Sequence, residues 1–514
     1  MNTEIISINP ATLEEAGRVL STTSSKIPEY VAEARAAQSL WHRMGFKKRA
    51  EYILKAREYL LNHLDDFAKT ITIDNGKPLA EAYSSELYPV ADLIYYFSYH
   101  AENLLKDFNV SIGILGLLRR QSHIAFQPMG VVGIISPWNY PFSIPVGEVA
   151  MALLCGNAVI LKPSSATPLV GKKIREMFDA AGLPSGVFTV AIGDSFVGNA
   201  LVESHVDKIL FTGSEGVGKT IMEKCAKNLT PLVLELGGKD PMIVRHDADL
   251  DLASSGAVWG AFANSGQCCA SIERVYVHES IFKRFVDLVV VKTSMLKQGN
   301  GLDPDVDIGA MTTLSQMEIV EDQVKEAMDR GAKIHIGGHR NTTLQGYFFE
   351  PTVITGVDHS FKCVNEETFG PLMPVMSFRD DRQAIHLAND TRFGLTASIW
   401  TKNIKEGQLI AKEIRAGTVM INDCVFTHAL SQTPWGGRKA SGFGRSHSRF
   451  GLQELVAVHH VHTNRLSKKN FWWYPYSKNM VSYFNSLTKT LTGSIISKIK
   501  GFPSFLKIFF VKKN

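Results

Sequence analysis

Two adjacent cysteines, Cys268 and Cys269, follow the small-residue run Asn264-Ser265-Gly266-Gln267. A thiol in such a turn is a candidate nucleophile, because the thiolate is the form that attacks a carbonyl carbon. Alone, a cysteine is more often a buried structural residue, so the reading depends on its company. Glu235 comes just before Gly237 and Gly238 and closes the apolar run Leu232-Val233-Leu234, where a strand should emerge into a cleft. That setting suits a tunable base as well as a solvated strand end. Asn139, in SPWNYPF, offers a side-chain amide that could steady an oxyanion; its plainer role is a turn amide before Tyr140-Pro141. In FTGSEGVG, Gly213, Ser214 and Gly218 follow the strand-like DKIL and precede the helix-like KTIMEKCAKN. Glycines there let backbone approach a pyrophosphate at a helix N-terminus, although the run departs from the GxGxxG fingerprint.

The elements that must position these residues are legible in the hydrophobic pattern. From about residue 28 to 107, apolar residues recur at three- and four-residue steps among charges, which predicts helices. RRQSHIAFQPMGVVGIISPW alternates and then turns continuously apolar, predicting a hairpin that leads into a buried strand. NAVILKP, GVFTVAIG, DKILFTG and TPLVLELGG then read as strands separated by helices, the pattern of a parallel sheet. A second series, RVYVHE, AKIHIGG, TVITGV and TVMIND, begins after Gly237 and predicts a second α/β domain, with a boundary near residue 236.

Together with LKPS at 161 to 164, LELGGKDP at 234 to 241 and EETFGP at 366 to 371, these motifs strongly resemble the aldehyde dehydrogenase superfamily, from about residue 25 to 463. The resemblance implies an α/β fold with a Rossmann-like cofactor domain (1–109 and 129–236), an α/β catalytic domain (237–440) and a small β oligomerisation element (110–128 and 441–464). It implies that Cys269 is the nucleophile, that Asn139 and the Cys269 amide hold the oxyanion, and that Glu235 activates the water that hydrolyses the thioester. NAD or NADP would be held by Pro137, Trp138, Lys162, Ser165, Gly213, Ser214, Gly218, Leu236, Glu367 and Phe369, and a dimer or tetramer would form. No metal is expected. Two departures stand out. Ser165 lies three positions after Lys162, where NAD-preferring relatives usually carry a glutamate, so a barrier to the 2′-phosphate of NADP is missing. Ser446 replaces a glutamate that many relatives place after the arginine, leaving Glu235 as the one base the motifs support.

With 45% hydrophobic and 20% charged residues, the 514-residue chain has globular composition and length for two or three domains. Its six cysteines show no disulfide ladder or zinc spacing, and the N-terminus has no basic run followed by an apolar stretch, so a cytoplasmic, reducing setting is expected. The net charge of +5 hides an asymmetry: residues 465–514 hold ten Lys or Arg and no Asp or Glu. The rest of the chain then carries 45 basic against 50 acidic residues, which speaks against a nucleic-acid partner and for a specialised tail.

That tail joins the aromatic cluster Phe471-Trp472-Trp473-Tyr474-Pro475-Tyr476 to an apolar stripe, Met480, Phe484, Leu487, Leu491, Ile495 and Ile499, and then to FLKIFFVKK. No stretch reaches the roughly 20 apolar residues needed to cross a bilayer, so the expectation is a segment that lies on a membrane; packing on an oligomer partner is the other reading. The positions after Asn139 carry Gly147 where compact-pocket relatives often have an aromatic, and Phe142, Phe426 and Trp435 are candidate apolar walls. The substrate expectation is a medium- or long-chain aliphatic aldehyde. The rivals are a semialdehyde or CoA-acylating dehydrogenase, the second disfavoured by Glu235, and a non-catalytic membrane-associated scaffold, disfavoured by the joint presence of Cys269, Glu235, Asn139, Lys162 and Glu367.

Overall fold

The computed structural model describes residues 4–113, 119–465, 470, 472–492, 494–496 and 503. Ile499, Phe471, Lys468, Lys469 and the FLKIFFVKK segment therefore lie outside the described residues.

The chain opens with an antiparallel pair, β1 (Glu4–Ile8) and β2 (Glu15–Leu20), which the sequence reading did not anticipate. Helices Ile27–Arg43, Phe46–Asn62, Leu64–Asn75 and Tyr88–Leu104 follow, within the predicted helical stretch. Next come β3 (Phe108–Val110), β4 (Arg120–Pro128) and β5 (Val131–Ile135). The first α/β series continues through β6 (Ala158–Lys162), β7 (Phe188–Val190), β8 (Lys208–Thr212) and β9 (Leu232–Glu235). The second comprises β10 (Asp240–Val244), β11 (Ile272–His278), β12 (Lys333–Ile336), β13 (Thr352–Thr355), β14 (Leu372–Phe378), β15 (Thr396–Trp400) and β16 (Thr418–Ile421), before β17 (Gly442–Phe443) and β18 (Val456–Asn464).

Two large sheets result, with strand orders β17-β9-β8-β5-β6-β7 and β12-β13-β14-β11-β10-β15-β16. Every residue of β5 and β6 is buried, as expected for parallel strands covered on both faces, and this is why they read as unbroken apolar runs rather than alternations. In the first sheet β5 to β9 run parallel, and only β17 is antiparallel, with Gly442 opposite Glu235. The register places Ile135 beside both Lys162 and Phe211, and Thr212 beside Glu235. The motif residues therefore share the carboxyl edge of one sheet, where ligands bind in open α/β folds. Only Leu236 to Lys239 separate β9 from β10, so the chain passes directly from the first sheet to the second beside that edge.

Contacts divide the chain into one unit of residues 1–106 and 126–458 and another of 107–125 and 459–514. The first holds both large sheets. Residues 441–458, assigned from sequence to the small β element, belong to this unit, because β17 hydrogen-bonds to β9 and Leu452 and Leu455 are buried in the core behind the first sheet. The second unit contains a three-stranded sheet of order β18-β4-β3 and the helix Lys478–Thr492, whose Met480, Phe484, Leu487 and Leu491 recur at steps of four, three and four.

Candidate active site

Cys269 sits on a strained turn. After helix Leu250–Phe262, three successive residues adopt left-handed backbone, Asn264 (φ 53°), Ser265 (φ 55°) and Gly266 (φ 72°). Gly266 is required: a Cβ there would fall on the Gly370 carbonyl. Non-glycine residues at positive φ persist only where surroundings over-determine them, and here they do. Asn264 N–H donates to both Glu81 carboxylate oxygens (3.0 and 2.9 Å), while Asn264 Nδ2 donates to the Asn139 and Gln267 carbonyls (2.9 and 3.1 Å). The Gln267 side chain is held in turn by Asn264 O (3.0 Å) and Thr312 N–H (2.9 Å).

Asn139 leaves β5 on the segment Ser136-Pro137-Trp138-Asn139. Its Nδ2 donates to Gln267 O at 3.1 Å, which uses one amide hydrogen and leaves the other for a ligand oxygen. Its backbone carbonyl accepts from Lys77 Nζ (2.9 Å), and Lys77 forms a fully buried ion pair with Glu86 (2.7 Å) under the Tyr140 ring. Glu86 also receives the Phe142 and Ser143 N–H groups (3.2 and 2.7 Å). One ion pair thus fixes the turn carrying Asn139 at both ends. The sequence reading missed Lys77 and Glu86, since a lysine and a glutamate on predicted helices look like surface charge.

Three spaces converge on Cys269. A channel of about 250 Å³ is lined by Pro137, Trp138, Asn139, Gly213, Ser214, Glu235, Leu236, Cys269, Glu367 and Phe369, uniting most of the expected cofactor residues with the three catalytic candidates. Its walls suit a nicotinamide nucleotide. The Trp138 and Phe369 rings meet edge to face at 5.4 Å, and Gly213 and Ser214 precede the N-terminus of helix Glu215–Ala226. Phe369 holds φ 50° because Glu273 accepts the Thr368 and Phe369 N–H groups (2.8 and 2.9 Å) while paired with buried Lys239 (2.6 Å). Burial pushes Glu367 up to about 8, against the pull of the Gly238 N–H at 3.0 Å. Lys162, Ser165 and Gly218 lie outside this lining. Lys162 ends β6 and burial lowers it to about 8, Ser165 is in the turn that follows, and Gly218 packs on the Leu236 side chain.

A second space of about 290 Å³ also reaches the thiol, walled by Tyr140, Ile144, Trp259, Val425, Phe426 and Trp435 among others. Phe142 takes no part; it is fully buried and packs edge-on against Phe67 at 5.3 Å. Gly147 is also absent from the lining, a Cβ there meeting Leu93 at 3.2 Å. The third is a small cavity of about 30 Å³ where Glu235 and Cys269 meet Glu148, His428 and His447.

The two thiols form a coupled pair. The Cys268 thiol, burial, and the carboxyls of Asp240 and Glu235 hold Cys269 above the usual cysteine range, while its contact with Cys269 lowers Cys268. Cys269 is the partly exposed one and borders all three spaces, whereas Cys268 is buried and borders only the apolar pocket. Glu235 is raised well above the carboxylate range, by burial first and by the neighbouring Glu148 second. Among the described residues no cluster of His, Cys, Asp and Glu could hold a metal ion.

A thiol between a nucleotide channel and an apolar pocket, beside a buried carboxyl, defines an NAD(P)-linked oxidoreductase acting on aldehydes. The chain belongs to the aldehyde dehydrogenase family, whose model matches residues 1–461. It is 38% identical over 492 residues to a 4,4'-diapolycopene aldehyde oxidase from Methylomonas sp, covering 96% of this chain and 92% of that one. A probable NADP-dependent succinate-semialdehyde dehydrogenase from Sinorhizobium fredii is 35% identical, covering 88% and 91%. Among solved structures, the NAD+ complex of an aldehyde dehydrogenase from Bacillus cereus superposes with a TM-score of 0.86 at 33% identity, covering 90% and 93%. The enzyme class, fold and NAD(P) dependence expected from sequence are established.

Proposed function

We propose that the enzyme oxidises an extended, apolar aldehyde, and that Cys269, Asn139 and Glu235 carry the chemistry. Once its thiol has given up its proton to solvent, Cys269 Sγ attacks, as the thiolate, the carbon of an aldehyde held in the apolar pocket, forming a C–S bond while the carbonyl π pair moves to oxygen. The oxygen, now an anion, takes the free hydrogen of Asn139 Nδ2 and the Cys269 N–H. The nicotinamide, when bound in the channel lined by Trp138, Glu367 and Phe369, supplies the hydride acceptor that turns this adduct into a thioester. Glu235 then removes a proton from water, the resulting hydroxide attacks the thioester carbon, and the C–S bond breaks to release the acid and restore the thiolate.

The observation that supports the substrate class is the pocket lining. Among the described residues it contains no Arg or Lys to meet a substrate carboxylate. Its one charged group, Glu81, is turned to the Asn264 N–H and raised to about 7 by burial. The relative named for 4,4'-diapolycopene aldehyde points the same way. Across straight-chain alkanals, kcat/KM should rise by about tenfold for each two methylenes buried, with succinic semialdehyde at least 100-fold below the best of them. A flat series, or a preference for the semialdehyde, overturns the reading. The same assay with each dinucleotide tests Ser165: NADP should be turned over at a rate within about tenfold of NAD, since no carboxylate at that position repels the 2′-phosphate.

We further propose that residues 465–514 rest on anionic lipid. Their ten cations without a single anion and the amphipathic helix Lys478–Thr492 support this, and among the described residues no helix is long and apolar enough to cross a membrane. Full-length protein should float with vesicles of equal phosphatidylglycerol and phosphatidylcholine, and a chain ending at Thr463 should stay in the dense fraction. Flotation of both chains, or of neither, overturns the proposal.

A further inference from the structure

Helix Ser143–Leu154 is buried along its whole length and its sequence, SIPVGEVAMALL, is otherwise free of charge. A carboxyl in such a place costs several kcal/mol unless it is paired. Glu148 is nevertheless there, 4% exposed, with Oε2 lacking any hydrogen-bond partner. Both oxygens of Glu235 are equally unpartnered, and the two carboxyls border the same small cavity as Cys269. At about 30 Å³ that cavity is large enough for a water.

We infer that Glu148 is a positioning residue for the deacylation step, sharing a single proton with Glu235 so that one carboxyl is neutral while the other serves as the base. The inference rests on Glu235 being the base. Two carboxylates in one small, buried cavity resist being charged together, and their protons leave in two steps that belong to the pair. When Glu148 holds the shared proton, Glu235 carries the charge and accepts the proton of the attacking water. The hydroxide oxygen bonds to the thioester carbon, the C–S electron pair returns to sulfur, and the pair releases the added proton to solvent. Besides the two carboxyls and Cys269, the titratable groups lining the cavity are two histidines. His428 is pushed down to about 4 and His447 well below its ordinary range by burial, so both are neutral. Arg445 favours the ionised form of Glu235 and Glu454 opposes it, while Thr212 and Ser446 offer only hydroxyls.

The test is the pH dependence of kcat in E148Q, read beside E235Q. Glutamine keeps the volume and removes the proton site. The wild-type acid limb should be broader than a one-proton curve. In E148Q it should sharpen to one proton and move about one pH unit lower, a roughly tenfold change in the proton concentration at half activity, because Glu235 then titrates alone. The pre-steady-state rate of cofactor reduction should be unchanged, and Glu148→Asp should restore the two-step limb. An E148Q limb that matches wild type overturns the inference, as does a uniform loss of rate without a shift, which marks a packing role. If E235Q turns over normally, the base assignment itself falls; if E235Q stalls after one turnover but E148Q leaves the limb in place, only the role of Glu148 falls.

Discussion

Cys269→Ala should abolish aldehyde oxidation, with a fall of roughly 10⁴-fold or more in kcat, while Cys268→Ala should keep turnover within about tenfold of wild type. The expectation follows from where the thiols lie. Cys269 alone borders the nucleotide channel, the apolar pocket and the Glu235 cavity, so only its sulfur can bond an aldehyde carbon that also faces a hydride acceptor and a water. Cys268 is buried and contributes packing around Leu395 and Trp435. Removing Cys268 should also ease ionisation of its neighbour, since it is the largest influence holding the Cys269 thiol protonated. Labelling of Cys269 by iodoacetamide in C268A should therefore reach half its maximal rate at lower pH than in wild type. Equal loss of turnover from the two alanine variants would reject Cys269 as the nucleophile.

The second large effect separates the two halves of the reaction. In Glu235→Gln, hydride transfer should still occur once per site, giving a burst of reduced cofactor equal to the enzyme concentration. Steady-state turnover should then fall by about 10²- to 10⁴-fold, the span typical of losing a general base. The expectation follows from its place: Glu235 lies in the small cavity at the end of β9, with no hydrogen bond to Cys269 and with the Glu148 carboxyl on the same cavity. Burial raises its pKa, so the base form, and with it deacylation, is lost as pH falls through that raised value. A burst that disappears along with turnover would move Glu235 to the first half of the reaction.

The Lys77–Glu86 pair shows how far the site depends on groups remote from the chemistry. Removing one partner of a buried pair costs about 3–5 kcal/mol, because the other charge is left without compensation. Here it would also release the Asn139 carbonyl and the Phe142 and Ser143 amides together. The strained turn bearing Cys269 is anchored in the same manner by Glu81, whose carboxylate is spent on the Asn264 amide.

The order of elements was legible in the chain, because buried parallel strands must be unbroken apolar runs and the helices between them must keep a 3.6-residue period. The motif residues were legible too, since thiol, amide, carboxyl and glycine-rich turn each carry a local signature. Tertiary structure alone decided which further charged groups are buried beside the motif residues. Glu148 reads as an ordinary helical glutamate, and Lys77, Glu86, Lys239 and Glu273 read as surface charges, until the packing of helices and sheet edges takes them out of water. It also turned Phe142 and Gly147 away from the pocket and drew residues 441–458 against the first sheet. Burial is a property of what lies across the chain in space, often more than a hundred residues away, and local spacing carries no record of it.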